Sequence, residues 1–468
     1  MRESWWERFL DGVADRGRDR LKLNASRDPV ERVGKHCEAL LTSVGEASGT
    51  ALAREVAREL EALDDAARLH LLQTLNVRFG PDREAILRAA DAYRTEPSLE
   101  TFLALSRAIE PPRQELFRRI NRAPGGTRTL VHLRAHVLRL LPEHPELGPV
   151  DADLLHLLGS WFNPGFLRLE RIDFRTPANL LEKIINYESV HAIGGWDDLR
   201  RRLQADRRCF GFFHPALPEE PLIFVEVALL DGVPTAAAPL LDPSAPVADP
   251  ARAHTAVFYS INNCQYGLRG VSFGNFLIKQ VISELLAEFP RLDRLVTLSP
   301  VPGLADAVRR AHDGGGPLGG QGPRRLLADH VEPLRQASGE ADPLAALLQL
   351  LQQPRPDAHG EILAKPLERL TLAYLTRARE GGRLADPVAR FHLANGARLE
   401  QIDAFADLSE RRMAQSFGVM VNYRYVPGAV EHNHERYMAD GQVVLARPLR
   451  RELRRLEQLW PPAEPART

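Results

Sequence analysis

The chain is 468 residues long, with a formal net charge of −1, 44% hydrophobic and 26% charged residues. That length exceeds what one hydrophobic core usually serves, so two domains are expected, and the balanced charge offers no general attraction for nucleic acid or an acidic membrane. No run of about 18 apolar residues suggests a membrane span, and three scattered cysteines, Cys37, Cys209 and Cys264, argue against a disulfide framework or a structural zinc site.

The opening Met1-Arg2-Glu3-Ser4-Trp5-Trp6-Glu7-Arg8 has no apolar signal core and carries acids that an organellar leader avoids. The closing Glu464-Pro465-Ala466-Arg467-Thr468 is not a peroxisomal address. A cytoplasmic protein is expected. From about residue 30 to 160, apolar residues recur at helical spacing, as in Leu52, Val56, Leu60 and Leu63 and again in Leu130, Leu133, Val137 and Leu141. Breakers at Gly80-Pro81-Asp82, Pro111-Pro112, Pro124-Gly125-Gly126 and Gly148-Pro149 divide these runs. Residues 1–160 therefore read as a helical bundle that carries no clustered chemistry and serves packing or self-association.

Past Trp161-Phe162-Asn163-Pro164-Gly165-Phe166 the pattern turns to strands, over residues 209–213, 222–229, 256–260, 295–299 and 419–423, with His214-Pro215-Ala216-Leu217-Pro218 as a hairpin turn. A helix over about 274–288 separates the third strand from the fourth. A mixed sheet carrying helices makes residues 161–468 an α/β or α+β domain, and the whole chain α+β. The glycine-rich segment 313–323 reads as a flexible loop unable to bury apolar surface, followed by a helical insertion from about Pro343 to Ala378.

Chemistry is suggested first by the stretch from Tyr259 to Asn275, where an apolar strand runs through a glycine-punctuated loop into a helix. Glycines let backbone N–H groups approach an anion, and a helix start offers unpaired donors and the positive end of its dipole. The spacing is neither a Walker loop nor a dinucleotide fingerprint. The Arg269-Gly270-x-x-x-Gly274 core is similar to the pyrophosphate loop of GNAT-type acetyltransferases, which grip coenzyme A. Ser299 ends a strand before Pro300-Val301-Pro302-Gly303, on a stiff scaffold at the edge where open sheets place ligands; the alternative is a serine that satisfies only its turn.

His392 lies in the last turn of a short helix defined by Asp386 as N-cap, Pro387 at the first position and Asn395-Gly396 as the stop. The carbonyl-rich end of that helix stabilises imidazolium by about 0.3–1 kcal/mol, which favours a proton donor over a base; a packed histidine with a satisfied ring is the alternative. His432 and His434 have no carboxylate in register to complete a metal site, so no metal is expected. Glu188 and His191 share a helix face and read as a surface pair rather than a dyad. No Gly-x-Ser-x-Gly elbow supports a conventional hydrolase.

Taken together, these segments resemble the malonyl-CoA decarboxylase family. The resemblance is carried by Phe258-Tyr259-Ser260-Ile261, Gln265 through Gly274, Phe276-Leu277-Ile278-Lys279, Leu298-Ser299-Pro300-Val301-Pro302-Gly303, Phe391-His392-Leu393-x-Asn395-Gly396-Ala397 and Asn422-Tyr423-Arg424-Tyr425. Upstream it extends through Trp161-Phe162, Gly165-Phe166-Leu167, Leu169-Glu170-Arg171 and Arg207-Arg208-Cys209. The resemblance implies a helical N-terminal domain used for oligomerisation and a GNAT-like mixed-sheet catalytic domain. It also implies cleavage of malonyl-CoA to acetyl-CoA and carbon dioxide without metal or organic cofactor, by a homo-oligomer, a dimer or tetramer, that binds neither nucleic acid nor membrane.

By motif, Ser299 and His392 fall on the family's catalytic pair and Ser260 and Tyr425 on supporting positions. Arg269, Gly270, Val271, Ser272, Phe273, Gly274 and Asn275 fall on the coenzyme A loop. The family treats the serine as a proton acceptor; a serine that donates a hydrogen bond to the malonyl group, with His392 as imidazolium protonating the carbanion, fits the sequence equally. Without the organellar leader and peroxisomal tail of eukaryotic members the chain looks bacterial, and its sparse cysteines leave an intersubunit disulfide open. A coenzyme A-dependent acyltransferase would need an acceptor site, a hydrolase would use Ser299 as nucleophile, and a coenzyme A-sensing scaffold would bind without turnover.

Overall fold

The computed structural model describes residues 28–43, 45–271, 273 and 276–461. Cα packing divides the chain into two compact units, one of residues up to 168 with 212–223 and 263–274, the other of 169–211, 224–262 and 275 onward.

The first unit is built on helices α1 (Pro29–Thr42), α2 (Glu46–Ala62), α3 (Asp65–Arg78), α4 (Arg83–Thr95), α5 (Leu99–Ile109), α6 (Pro112–Asn121), α7 (Gly126–Leu140) and α8 (Gly148–Trp161). Their starts are written in the sequence. Asp28 caps α1 by accepting the Val30 N–H at 2.9 Å, Asp64 caps α3 through Ala67 at 2.8 Å, and Ser98 and Thr101 form a reciprocal capping box on α5. The apolar stripes of α1, α2, α3, α6, α7 and α8 meet in one core that includes Val56, Leu60, Leu71, Phe117, Leu130, Val137 and Leu154. The α4–α5 pair departs from this pattern. Neither helix buries a residue; the two lean on each other through Tyr93 and Phe102, ring centroids 5.9 Å apart, and leave Leu87, Leu99, Phe102 and Ile109 exposed.

The sheet runs in the order β1 (Arg168–Ile172), β2 (Arg207–His214), β3 (Leu217–Leu230), β4 (Thr255–Asn263), β5 (Arg294–Thr297), β10 (Met420–Tyr425), β6 (Ser299–Pro300), with β9 (Arg398–Asp403) also on β10. β7 (Arg379–Glu380) and β8 (Arg383–Leu384) form a separate small hairpin. β4 and β5 are parallel, from Thr255↔Arg294 to Phe258↔Thr297, and helix α9 (Phe276–Glu288) lies between them in the chain. Side chains alternate across a sheet. Val257, Tyr259, Val296, Leu298 and Met420 join a hydrophobic cluster on one face, which puts Phe258, Ser260, Thr297, Ser299, Tyr423 and Tyr425 on the other.

Two irregularities shape that second face. The strand expected over 295–299 is broken at Leu298, so that β5 and β6 pair separately with β10, at Arg424↔Val296 and at Val421↔Ser299. Opposite the break, the β9–β10 register shifts between Asn422 and Tyr423. Meanwhile β4 continues to Asn263 after its last pair with β5, so the parallel strands part beside Ser299. Such bulges re-aim side chains near active sites.

β1 and β9 were invisible to an apolar-run reading because they are charged, half-exposed strands, Arg-Leu-Glu-Arg-Ile and Arg-Leu-Glu-Gln-Ile-Asp. The glycine-rich segment 313–323, expected to bury no apolar surface, buries Leu318 completely, and Gly322 packs so closely that a Cβ there would lie 2.2 Å from the Trp460 ring. Helices occupy the chain from Leu304 to Arg377, well before the expected start of the insertion.

Candidate active site

Ser299, at the break between β5 and β6, is 5% exposed. Its Oγ donates to Thr297 Oγ1 at 2.8 Å and lies 3.1 Å from His392 Nε2. His392 comes from helix α10 (Pro387–Ala394), whose boundaries match the sequence reading: Asp386 accepts the Ala389 N–H at 2.7 Å, Pro387 opens the helix, and Gly396 turns the chain at φ +80°. The other ring nitrogen, Nδ1, is 2.8 Å from Tyr425 Oη, and the ring stacks on Tyr423 at 4.6 Å and 22°. The structure thus brings Ser299, His392 and Tyr425 into one hydrogen-bonded chain.

That chain fixes the protons. A Ser299 hydroxyl proton given to Thr297 leaves His392 Nε2 to carry the hydrogen that points at Ser299 Oγ. A neutral ring then has only a lone pair at Nδ1, which accepts the Tyr425 hydroxyl. Burial pushes the His392 pKa down to about 3, with no charged partner to oppose it. Burial thus opposes the imidazolium expected from the helix end and favours a neutral imidazole. A helix C-terminus is worth about 0.3–1 kcal/mol to a cation, and removing the ring from water outweighs it.

Ser260 belongs to a second polar group on the same face. Its Oγ donates to Glu188 Oε2 at 2.7 Å and accepts from Asn262 Nδ2 at 2.6 Å, while Asn262 Nδ2 also reaches Glu188 Oε2 at 2.8 Å. Glu188 Oε1 accepts the backbone N–H groups of Val190 and His191 at 2.7 and 2.8 Å. Glu188 and His191 are accordingly not a surface pair: both are buried, and their link is carboxylate to backbone. Thr297 and Asn262 escaped the sequence reading as site residues, and Glu188 was read only as half of a surface pair. The available signal was the polar alternation Ser260-x-Asn262 and Thr297-x-Ser299 inside otherwise apolar strands.

In the other unit, the Tyr266–Leu268 turn continues into Arg269, Gly270 and Val271 and borders a cavity of about 320 Å³ with Asn263 and Phe273. Buried Arg134 of α7 clamps the turn, donating to the carbonyls of Gly267 and Arg269, both at 2.7 Å, while Asp151 holds its Nε at 2.8 Å. Close approach is required at Gly267, where a Cβ would lie 1.9 Å from the Val131 carbonyl oxygen. Gly270 has room for a side chain but adopts φ +86°, a left-handed conformation that penalises any other residue. The N–H groups of Leu268, Arg269 and Val271 are spent on turn bonds to Gln265, Tyr266 and Leu268. Ser272, Gly274 and Asn275 lie outside the described residues. Among the described residues no group of three or more His, Cys, Asp or Glu is arranged to hold a metal, and no helix is long and apolar enough to cross a membrane.

A site whose working groups are hydroxyls and an uncharged imidazole, set on the open end of parallel strands in an α+β chain, defines an enzyme that moves protons. Which enzyme emerges from comparison with known proteins. Residues 165–461 match the family model of the malonyl-CoA decarboxylase C-terminal domain and residues 79–162 that of its N-terminal domain. The chain belongs to the malonyl-CoA decarboxylase family. It is similar to the mitochondrial malonyl-CoA decarboxylase of Anser anser anser, 33% identical over 401 residues that cover 81% of this chain and 78% of the relative. Solved structures of malonyl-CoA decarboxylases from Rhodopseudomonas palustris and Agrobacterium vitis are 46% and 44% identical, with TM-scores of 0.81 and 0.78. Each covers 90% of this chain and 99% of its own.

The neutral histidine has a consequence for stability. In the unfolded chain His392 binds a proton near pH 6.5, but in the folded protein only near pH 3, so its contribution is lost as pH falls through that window. His392→Asn is released from this penalty. Between pH 7.5 and 4.5 the stability of the parent relative to the variant, measured by urea unfolding, should drop by about 2–3 kcal/mol; an unchanged difference would mean that the folded ring titrates normally.

Proposed function

We propose that this chain converts malonyl-CoA to acetyl-CoA and carbon dioxide using its own side chains, without a metal or organic cofactor. The observation that carries the reading is the buried chain of hydrogen bonds from Tyr425 through His392 to Ser299 in a member of this family. The bond between Cα and the carboxylate breaks, its electron pair passes into a thioester enolate, and carbon dioxide leaves. His392 Nε2–H is the donor for the enolate oxygen, with Ser299 Oγ holding the ring in place, and one preorganised donor of this kind is worth about 2.7–4 kcal/mol.

The carbanion is a stronger base than any group in the chain, so a neutral donor suffices. His392 gives its Nε2 proton to Cα while Nδ1 takes the hydroxyl proton of Tyr425. The negative charge that arrived on the carboxylate then rests on the phenolate, and solvent returns the proton. Burial raises the Tyr425 pKa well above its ordinary value, which makes that phenolate short-lived.

Ser260 supports the site through Glu188. The segment Arg269 to Asn275 is proposed to hold the coenzyme A pyrophosphate, with the Arg269 guanidinium as a planar fork on phosphate oxygens. Gly270 then matters for its left-handed backbone rather than for crowding. Cytoplasmic location and assembly as a homo-oligomer, a dimer or tetramer, complete the proposal. The exposed apolar arm α4–α5 supports self-association through the helical region, since large exposed apolar patches mark interaction surfaces.

Purified protein incubated with malonyl-CoA and EDTA should release acetyl-CoA, followed by mass; malonate with free coenzyme A would instead indicate a thioesterase. In the same assay His392→Asn should cut turnover by about 10²–10⁴-fold, and turnover within a few-fold of the parent would remove His392 from the chemistry. The arm is tested separately. Leu87→Glu with Leu99→Glu changes two exposed residues and spares the Tyr93–Phe102 contact, so it should leave the melting temperature unchanged while the protein sediments as a smaller species; an unchanged mass would place the interface elsewhere.

A further inference from the structure

We propose that Thr297 is a positioning residue that holds the Ser299 proton and thereby keeps Ser299 from acting as a nucleophile. Thr297 is fully buried at the end of β5, and its Oγ1 accepts twice, from Ser299 Oγ at 2.8 Å and from the Tyr423 N–H at 3.1 Å. The second bond explains why a hydroxyl stands there. β10 pairs with β5 at Arg424↔Val296 and with β6 at Val421↔Ser299, and Tyr423 faces the interruption between them. The Thr297 side chain supplies an acceptor for a buried N–H at that break.

The first bond decides the direction of the proton chain. Ser299 has two acceptors within reach, Thr297 Oγ1 and His392 Nε2 at 3.1 Å. While Thr297 holds the proton, Nε2 carries its own hydrogen and Ser299 Oγ has no base beside it to activate it. Without the threonine hydroxyl, Ser299 turns to Nε2 and the ring shifts its hydrogen to Nδ1, toward Tyr425 Oη. A serine hydrogen-bonded to an unprotonated imidazole nitrogen is the arrangement of an activated nucleophile. In that state Oγ bonds to the thioester carbonyl carbon as its proton passes to Nε2, the C–S bond breaks, and the thiolate takes that proton. Water then cleaves the acyl ester, giving malonate and coenzyme A in place of acetyl-CoA and carbon dioxide.

The inference rests on the decarboxylation proposed above, and the two fail differently. A parent protein that makes no acetyl-CoA overturns the reaction itself, whereas an active parent allows Thr297 to be judged. Thr297→Val should lower kcat for acetyl-CoA formation by at least about tenfold with KM within about threefold of the parent. It should also release malonate with free coenzyme A faster than the parent, and the double change with Ser299→Ala should abolish that release. Thr297→Ser keeps the hydroxyl and should behave as the parent; Thr297→Ala serves in place of the valine variant if that does not fold. Parent-like kcat without the hydroxyl, no rise in coenzyme A release, or a serine variant as slow as the valine one would overturn the proposal.

Discussion

Burying an imidazole among hydroxyls and aromatic rings, with no carboxylate against it, leaves the ring uncharged, and the rest of the site is arranged around that fact. His392 is 3% exposed, stacked on Tyr423, and its ring is bonded, among the described residues, to Ser299 and Tyr425. An uncharged ring has one hydrogen to give and one lone pair to offer, so each neighbour must take a definite role. Ser299 receives, Tyr425 gives, and Thr297 takes the proton that Ser299 would otherwise return to the ring. A site built this way stays neutral until substrate brings a charge to it. That suits a reaction whose difficulty is a carbanion rather than an incoming anion to be bound at the same atoms.

The scaffold serves this constraint at two places. Asp386 caps the short helix that delivers His392, and burial raises its own pKa to about 6, so the cap sits close to losing its charge in a region almost without water. Gly396 ends the helix in a left-handed turn beside the Val430 carbonyl, where a Cβ would approach to 2.1 Å. On the sheet side, strand alternation puts Ser299 and Tyr423 on one face, beside the interruption at Leu298 and the shift between Asn422 and Tyr423. Fixing the ring between a rigid cap and a bulged sheet costs regular ladder bonds, and the Thr297 hydroxyl replaces one of them.

Much of this was legible in the chain because it is local. The cap at Asp386, the proline at 387 and the stop at Gly396 are consecutive residues, and the strand ending near Ser299 is announced by its apolar run. The helices of the first unit followed from apolar period and breakers in the same way. What escaped reading depends on register between distant strands. Thr297 acquires a role only when β10 lies beside it, 126 residues away in sequence from Tyr423, and Glu188 only when it meets Ser260, 72 residues on. The histidine's charge was misjudged for a related reason: a helix dipole can be read from ten residues, while the desolvation that outweighs it comes from the whole fold.

The central claim is the position of one hydrogen, and neutron diffraction from a deuterium-exchanged crystal observes it directly. The account requires deuterium on His392 Nε2 and none on Nδ1, with the Ser299 hydroxyl deuterium directed at Thr297 Oγ1 and that of Tyr425 at Nδ1. Deuterium on both ring nitrogens, or on Nδ1 alone, would contradict it.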